Sequence, residues 1–313
     1  MTDLPWLLLA VSLDLLVGDP RRLPHPVRGI GWLYDRLDAL ADRLGWRGRV
    51  FGALAVVLVA TGCGGLVWLL CALPWVGRVF WVYCAFAGLA LGDLLAEARR
   101  AARFLDKGEL ESARQAVSGL VSREVTDLDA DGLSRALAES VAENANDGFV
   151  APLFYLALGG PFWLWLYKAV STADSMWGYR TARYERLGWF GARADDVLAF
   201  VPARLTAGAM WLAGGLFGIR RRGLWVKISR DARKSASPNA GWPMAAAAWL
   251  CNAGMGGPAT YFGRHVRKPR LGPAEGAWDA KRQRLLRRLV LLSGLIVMML
   301  IIAVVHGSAV GIP

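Results

Sequence analysis

Long charge-free runs alternate along this chain with charge-dense segments, a pattern that predicts helices crossing a bilayer. Val50–Leu73 carries no charge over 24 residues, enough helix to span a hydrocarbon layer roughly 30 Å thick. Val79–Gly92 is a shorter run, extended by apolar residues on both sides and interrupted by Arg78 and Asp93, so the pair predicts a helical hairpin around Pro74. Phe149–Tyr167, Val197–Ile219 (interrupted only by Arg204) and Leu289–Val305 complete five candidates. Leu4–Val17 is a sixth, short and carrying Asp14; it lacks the basic leader and small-residue cleavage site of a removable signal peptide. Gly159-Gly160-Pro161 interrupts one candidate span, and Gly256-Gly257-Pro258 punctuates the uncharged stretch Ser235–Gly263. Such breaks are tolerated where backbone lines a cavity or re-enters the membrane. The expectation is an all-α polytopic membrane protein of five to six spans, with one or two broken or re-entrant helices, forming one integral-membrane domain over residues 1–313.

Composition agrees with that reading: 55% hydrophobic residues and 15 Trp in 313, with mean hydropathy +0.34. The formal charge of +12 is informative through its placement. Segments 18–49, 96–148 and 220–288 hold most of the Lys and Arg, which predicts that these loops are cytoplasmic and the C-terminus outside. A multi-pass protein of the cell (inner) membrane, with its active site facing the cytoplasm, follows as the expectation. The basic excess reads as topology and contact with anionic membrane lipid. No recognition module for nucleic acid accompanies it. The four Cys match neither a zinc motif nor a disulfide scaffold, and three His make a His-rich metal site improbable.

Four polar constellations remain. In the first, Pro20, Pro24 and Pro26 restrict a loop that carries Asp19, His25 and Arg28. The second is a helix predicted to begin at an Asp131 N-cap and end at a Gly148 C-cap. It sets Glu139 and Glu143 one turn apart, with Ser140, Asn144 and Asp147 on a neighbouring stripe. That face offers oxygen ligands to a hard cation such as Mg²⁺, held by Glu139, Glu143 and Asp147. A solvated helix face is the plainer alternative, against which the Asn residues, mediocre helix formers, argue. The third runs from Lys168 through Asp174, Ser175, Tyr179 and Arg180 to Asp195, Asp196 and Arg204. Arg204 lies inside an apolar segment, where an unpaired cation costs about 2.5–3.5 kcal/mol, so a carboxylate such as Asp195 or Asp196, or an anionic ligand, is its expected partner. The fourth is the small, polar turn of Ser237 and Asn239. No P-loop motif occurs, which excludes nucleotide binding of that kind. Clustered carboxylates with Lys168, Arg180 and Arg204 suggest Mg²⁺ and a phosphorylated substrate. Residues alone leave open a membrane transferase or ligase, a prenyltransferase among them, and a transporter or sensor.

In this order the constellations resemble the adenosylcobinamide-phosphate synthase family of cobalamin biosynthesis. The stretches that carry the resemblance are Gly18–Pro20 with Pro24–Val27, Glu139–Gly148, Thr172–Tyr179, Asp195-Asp196 with Pro202–Thr206, and Ser237–Pro243 with Gly256–Pro258. Met244 and Ala199 depart from the pattern, standing where Glu and Asn are expected. The resemblance implies an integral membrane enzyme that uses ATP and Mg²⁺ to join a carboxylate of an adenosylated corrinoid, adenosylcobyric acid, to (R)-1-aminopropan-2-ol O-phosphate or to aminopropanol. It implies catalytic work for His25, Glu139, Glu143 and Asp174. Substrate and phosphate contacts would fall to Asp19, Arg28, Asn144, Lys168, Ser175 and Tyr179, and to Arg180, Asp195, Asp196, Arg204, Ser237 and Asn239. Other membrane enzymes of late cobalamin assembly are the implied protein partners. The corrin ring would need a broad apolar wall, which the Trp-rich segments can supply.

Overall fold

The charge-free runs read as candidate spans fold as helices. The computed structural model describes residues 4–18, 25–220 and 222–310. Among the described residues, four helical stretches are long and apolar enough to cross a membrane: Arg49–Cys71, Gly77–Asp106, Ala130–Trp177 and Ala280–Val304. Trp189–Leu198 with Phe200–Leu216 makes a fifth if that bent pair is one span. The chain is therefore a helical polytopic membrane protein, organised as two units that are described in turn.

The first unit comprises the chain through Gly92, Ala151–Ala199 and the residues from Ile301. Helix α1 (Leu4–Val17) is too short to span, and its Asp14 is buried. The carboxylate accepts the N–H groups of Leu91 at 3.1 Å and Gly92 at 3.4 Å. These are orphan donors at the start of a later helix, so Asp14 acts as a cap supplied from a distance. Helix α2 (Pro26–Leu44) is amphipathic; α3 (Arg49–Cys71) and α4 (Gly77–Gly88) form the hairpin expected around Pro74. Residues Leu91–Asp106 form α5, whose first two residues belong to this unit. The long helix Ala151–Trp177, labelled α8 in chain order, packs on α2, α3 and α4. Its interior breaks at Gly159 and Gly160; Gly160 has φ 71°, a region open to glycine and costly to other residues. Pro161 follows without an N–H to donate, and the predicted break is thus present. Helix α9 (Trp189–Leu198) closes the unit against α3 and α8. Tyr34 and Trp177 meet edge to face at 4.9 Å in its core, a contact worth about 0.5–1.5 kcal/mol beyond the area buried.

The second unit comprises Asp93–Val150 and Phe200–Leu300. It contains most of α5, then α6 (Leu110–Ser118) and α7 (Ala130–Asn144). Asp129, not Asp131, caps α7, accepting the Gly132 N–H at 2.8 Å. Nor does the helix stop at Gly148. It passes through a π-helical turn, Ala145–Val150, where the extra residue per turn redirects the Asn146 and Asp147 side chains. Helices α10 (Phe200–Leu216) and α11 (Leu224–Ala232) follow, both packed on α12 (Gly241–Cys251). The α12 face is apolar all round, with Ala245 to Ala248 fully buried, and its eleven residues, roughly 17 Å of helix, make it a core element rather than a span.

One part of this unit departs from the all-helical expectation. Gly256-Gly257-Pro258 lies in β1 (Met255–Tyr261), paired antiparallel with β2 (Arg264–Leu271) through a two-residue turn at Phe262 and Gly263. Both turn residues have positive φ, 50° and 71°, the requirement of a tight hairpin turn matched to strand twist. The break read as a possible re-entrant helix is a β-bulge between Met255 and Gly257. Helix α13 (Ala280–Val310) begins in this unit and carries the last apolar run.

Candidate functional site

The second unit sets Glu139 where α7 meets the β-hairpin, with Glu143 one turn on. Glu139 is 2% exposed, yet each of its oxygens has a partner. Arg123 forms a buried ion pair with one, and the Gly256 N–H donates to the other at 2.6 Å. The hairpin bulge is what aims that N–H: Gly256 has φ 85°, and a Cβ there would meet the Pro269 carbonyl oxygen at 2.0 Å. Ser140, the next residue, donates to the Leu120 carbonyl, and Asn144 turns back to the Ser140 carbonyl at 3.0 Å and hydroxyl at 3.1 Å. These bonds fix one side of α7.

Glu143, one turn on from Glu139, is different. Its side chain forms no hydrogen bond or ion pair among the described residues, although Lys268, Glu139 and Arg123 all act on it electrostatically. Lys268 comes from β2 and lies over the Tyr261 ring at 5.1 Å. A half-buried carboxylate thus faces a nest of two cations with its own oxygens uncommitted. Asp147 accepts from the Asn146 amide at 2.7 Å, and Asn146 accepts from the Thr206 hydroxyl at 3.1 Å. Among the described residues no three His, Cys, Asp or Glu side chains are grouped so as to hold a metal ion. Glu139, buried and with a protein donor on each oxygen, is committed to the fold where Glu143 is open.

A second cluster in the same unit joins two motifs far apart in sequence. Arg204 donates to the Phe200 carbonyl at 2.6 Å, to Asn239 Oδ1 at 3.2 Å and to the Pro238 carbonyl at 3.4 Å. Its guanidinium also lies 3.4 Å from the Phe200 ring centroid and 4.9 Å from that of Trp242. Carbonyl dipoles and π-faces therefore stabilise the cation in the bonds described, the role expected of a carboxylate. Ser237 Oγ accepts the N–H groups of Asn239 and Ala240, both at 3.2 Å, which holds Asn239 toward Arg204.

In the first unit, His25 caps α2, its Nδ1 accepting the Val27 N–H at 3.3 Å, and Arg28 projects from the first turn, exposed. Asp19 lies outside the described residues. Lys168, Asp174 and Ser175 follow one another along the last turns of α8; the Lys168 carbonyl accepts from Thr172 and the Ser171 carbonyl from Ser175. The Asp174 carbonyl accepts the Gly178 N–H at 2.7 Å, turning the chain toward Tyr179 and Arg180. Asp195 and Asp196 lie on α9, where Arg193 pairs with Asp196 at 3.6 Å and Arg180 acts on it electrostatically. Beside them Tyr155 stacks on Tyr167 at 5.1 Å and donates to the Leu198 carbonyl at 2.9 Å.

Sequence reasoning missed Arg123 and Lys268. Both sit in basic segments and were counted only as topology; no spacing rule ties either to Glu139 or Glu143.

Against known proteins, residues 7–293 match the family model described as CobD/Cbib protein. The chain is 41% identical over 282 residues to the cobalamin biosynthesis protein CobD of Geobacter metallireducens, covering 88% of this chain and 89% of that one. It is 38% identical over 287 residues to the cobalamin biosynthesis protein CbiB of Salmonella typhimurium, covering 88% of each. The CobD of Listeria monocytogenes is 37% identical over 268 residues, 83% of this chain and 85% of its own. No solved structure matches.

Proposed function

Because this chain belongs to the CobD/Cbib protein family and so serves cobalamin biosynthesis, we propose that it is the membrane ligase that forms the aminopropanol amide of the corrinoid. The observation that carries this reading is the contrast of two carboxylates one turn apart: Glu139 saturated by protein donors, Glu143 left open between Arg123 and Lys268. A carboxylate and an ammonium do not condense unaided. ATP transfers its γ-phosphoryl group to the corrinoid carboxylate, giving an acyl phosphate and ADP. The amine nitrogen then forms the amide bond as the C–O bond to phosphate breaks, and a proton leaves with the phosphate.

Lys268 and Arg123 supply positive charge for a phosphoryl group in transit. Mg²⁺ would arrive on the nucleotide and neutralise polyphosphate charge; such an ion keeps several waters and takes only one or two protein carboxylates. Glu143 is the residue that fits that limited role, with Glu139 holding α7 and the hairpin around it. Arg204, oriented by Asn239 and Ser237, is a second phosphate-binding candidate because its planar fork suits bidentate contact. In the first unit, Asp174 and Ser175 belong to the stretch Thr172–Tyr179 that carries the family resemblance. ATP hydrolysis ties the active face to the cytoplasm, in keeping with the basic segments around Glu143.

The test is to incubate purified full-length protein with adenosylcobyric acid, ATP and Mg²⁺, giving it aminopropanol O-phosphate or aminopropanol. Amide product with one ADP formed per bond is expected, and no product from either amine would overturn the reading. Glu143→Gln should lower turnover by about 100-fold or more, with membrane insertion and the unfolding temperature unchanged.

A further inference from the structure

One cavity of the second unit is not lined by Glu143 and has a composition the proposed reaction does not use. It has a volume of about 440 Å³. Helix α5 lines it with Leu95, Arg99, Arg103 and Asp106, residues spaced three or four apart and so on one helix face. The opposing wall is the start of α13, with Arg284, Arg287, Arg288 and Leu291 at the same kind of spacing. Five guanidinium groups therefore converge on one cavity with a single carboxylate among them.

Like charges so gathered repel, and a fold gains nothing by collecting them unless something neutralises them. Arg287 sharpens the point. It is half-buried, and its Nη1 is a buried donor with no hydrogen-bond partner among the described residues. An unsatisfied buried donor of a charged group is costly, a cost that an anionic oxygen in the cavity would recover. The use of Arg throughout, with no Lys, suits phosphate, which the guanidinium fork can grip in bidentate fashion.

Two features decide which phosphate. The cavity sits where the charged first turns of α13 give way to its apolar run within the candidate span Ala280–Val304, the level at which lipid phosphates lie. Leu95 and Leu291 give the same cavity an apolar portion, while no aromatic, amide or hydroxyl side chain lines it to read a base or a ribose. We infer that this arginine cavity binds the headgroup of an anionic phospholipid, with the two phosphates of cardiolipin the best match to its four excess positive charges. Such a site would anchor α5 to α13 at the membrane surface.

The experiment uses full-length protein in detergent, stripped of lipid, titrated with cardiolipin, phosphatidylglycerol, phosphatidylcholine, ATP or inorganic pyrophosphate. Binding is read by native mass spectrometry and by the unfolding temperature. Cardiolipin should bind at least tenfold more tightly than phosphatidylcholine. Arg284→Gln with Arg287→Gln should weaken cardiolipin by about tenfold or more, and Arg287→Lys by a smaller factor. Without lipid, the double variant should unfold at the same temperature or higher, since like charges have been removed. Should that variant fail to fold, the exposed Arg103→Gln on α5 serves instead, with a several-fold loss expected. Arg100→Gln, on the same helix but paired with Glu97 and outside the cavity, should leave affinity unchanged. Equal affinity for cardiolipin and phosphatidylcholine, or no change in the cavity variants, would overturn the inference. So would ATP or pyrophosphate stabilising the protein as well as cardiolipin does, through the same arginines.

Discussion

Both units pair arginine with carboxylate, but in opposite surroundings, and the difference shows what each pairing is for. In the first unit, Arg47 and Arg183 share Asp38 and Asp42: Arg47 lies 2.8 Å from Asp38, and Arg183 2.6 Å from Asp38 and 2.8 Å from Asp42. Arg183 and Asp42 are each nearly half exposed there. In the second unit Arg123 and Glu139 are 9% and 2% exposed. Water screens the Arg183–Asp42 end of the first network, while Asp38 beneath it is buried and holds two arginines at once. The second has exchanged water for one another and for the Gly256 N–H. A surface pair is worth about 0–1 kcal/mol. Breaking a buried one costs about 3–5 kcal/mol because the remaining charge has no solvent to return to. The buried pair therefore controls the geometry around Glu143, and the surface network steadies the entry to α3.

The sharpest way to break the comparison is to remove one buried partner. Arg123→Ala should destabilise the protein by about 3–5 kcal/mol, lowering its unfolding temperature by roughly 10 °C. Replacing both members, as Arg123→Met with Glu139→Leu, should restore much of that stability, since an apolar pair of similar volume avoids the orphaned charge. Activity should not return with it, because Lys268 alone would then face Glu143. If Arg123→Ala unfolds within 2 °C of the parent, the pair is not buried as described.

The elements legible in sequence were those governed by one-dimensional rules. A charge-free run long enough to span reads directly as a helix, and Val50–Leu73 became α3 almost to the residue. Gly159-Gly160-Pro161 read as a break because no helix interior tolerates that triplet without one. Glu139, Glu143 and Asn144 were correctly set on a helix because their spacing is helical. What escaped depends on three-dimensional neighbours. The β1–β2 hairpin contains glycines, two prolines and basic residues without alternation, so no strand signal stood out; its register comes from the Phe262-Gly263 turn, and its bulge lies at Gly256, whose N–H is bonded to Glu139. Gly148 resembled a helix terminator, but the π-helical turn carries the chain past it, with Thr206 on Asn146 supporting the detour. Arg123 was indistinguishable from the other cations of its segment because charge counting pools them.

Asp231 tests the middle ground, a buried carboxylate of the second unit with several donors rather than one. Lys234 lies 2.6 Å away, the Trp249 indole donates at 2.8 Å and the Gly272 N–H at 2.9 Å, so this one side chain ties α11, α12 and the residue after β2 together. Burial pushes its carboxyl up, but Lys234, the Gly272 N–H and Trp249 outweigh burial and hold it below the usual carboxylate range. Asp231→Asn should cost about 1.5–3 kcal/mol at neutral pH. A group with a depressed folded value stabilises fully above its unfolded value, near 4, and loses that contribution as pH falls. The gap in unfolding temperature between parent and variant should therefore narrow below about pH 4. A gap that widens on acidification would contradict the assignment.

The smallest effect is expected at Arg183, and its size is the point. Arg183→Ala removes a guanidinium held by two carboxylates at good distances, yet Arg183 is itself nearly half exposed and the buried Asp38 keeps Arg47 as a partner, which limits the loss to about 1 kcal/mol or less. Salt distinguishes it from the buried case. Raising ionic strength to 0.5 M shortens the screening length to a few ångströms, so the difference between Arg183→Ala and the parent should shrink, while that of Arg123→Ala should not. Acid provides the second check. The Arg47 hydrogen bond, with a further one from Arg183, lowers the Asp42 carboxyl to about 2. Its contribution is thus complete above its ordinary value of 3.8 and fades as pH falls toward 2. Without Arg183 the carboxyl should titrate higher, and the loss should begin at higher pH. An Arg183→Ala variant that costs as much as Arg123→Ala, independent of salt, would erase the distinction between the units, because a screened network would then be as necessary to the fold as a buried pair.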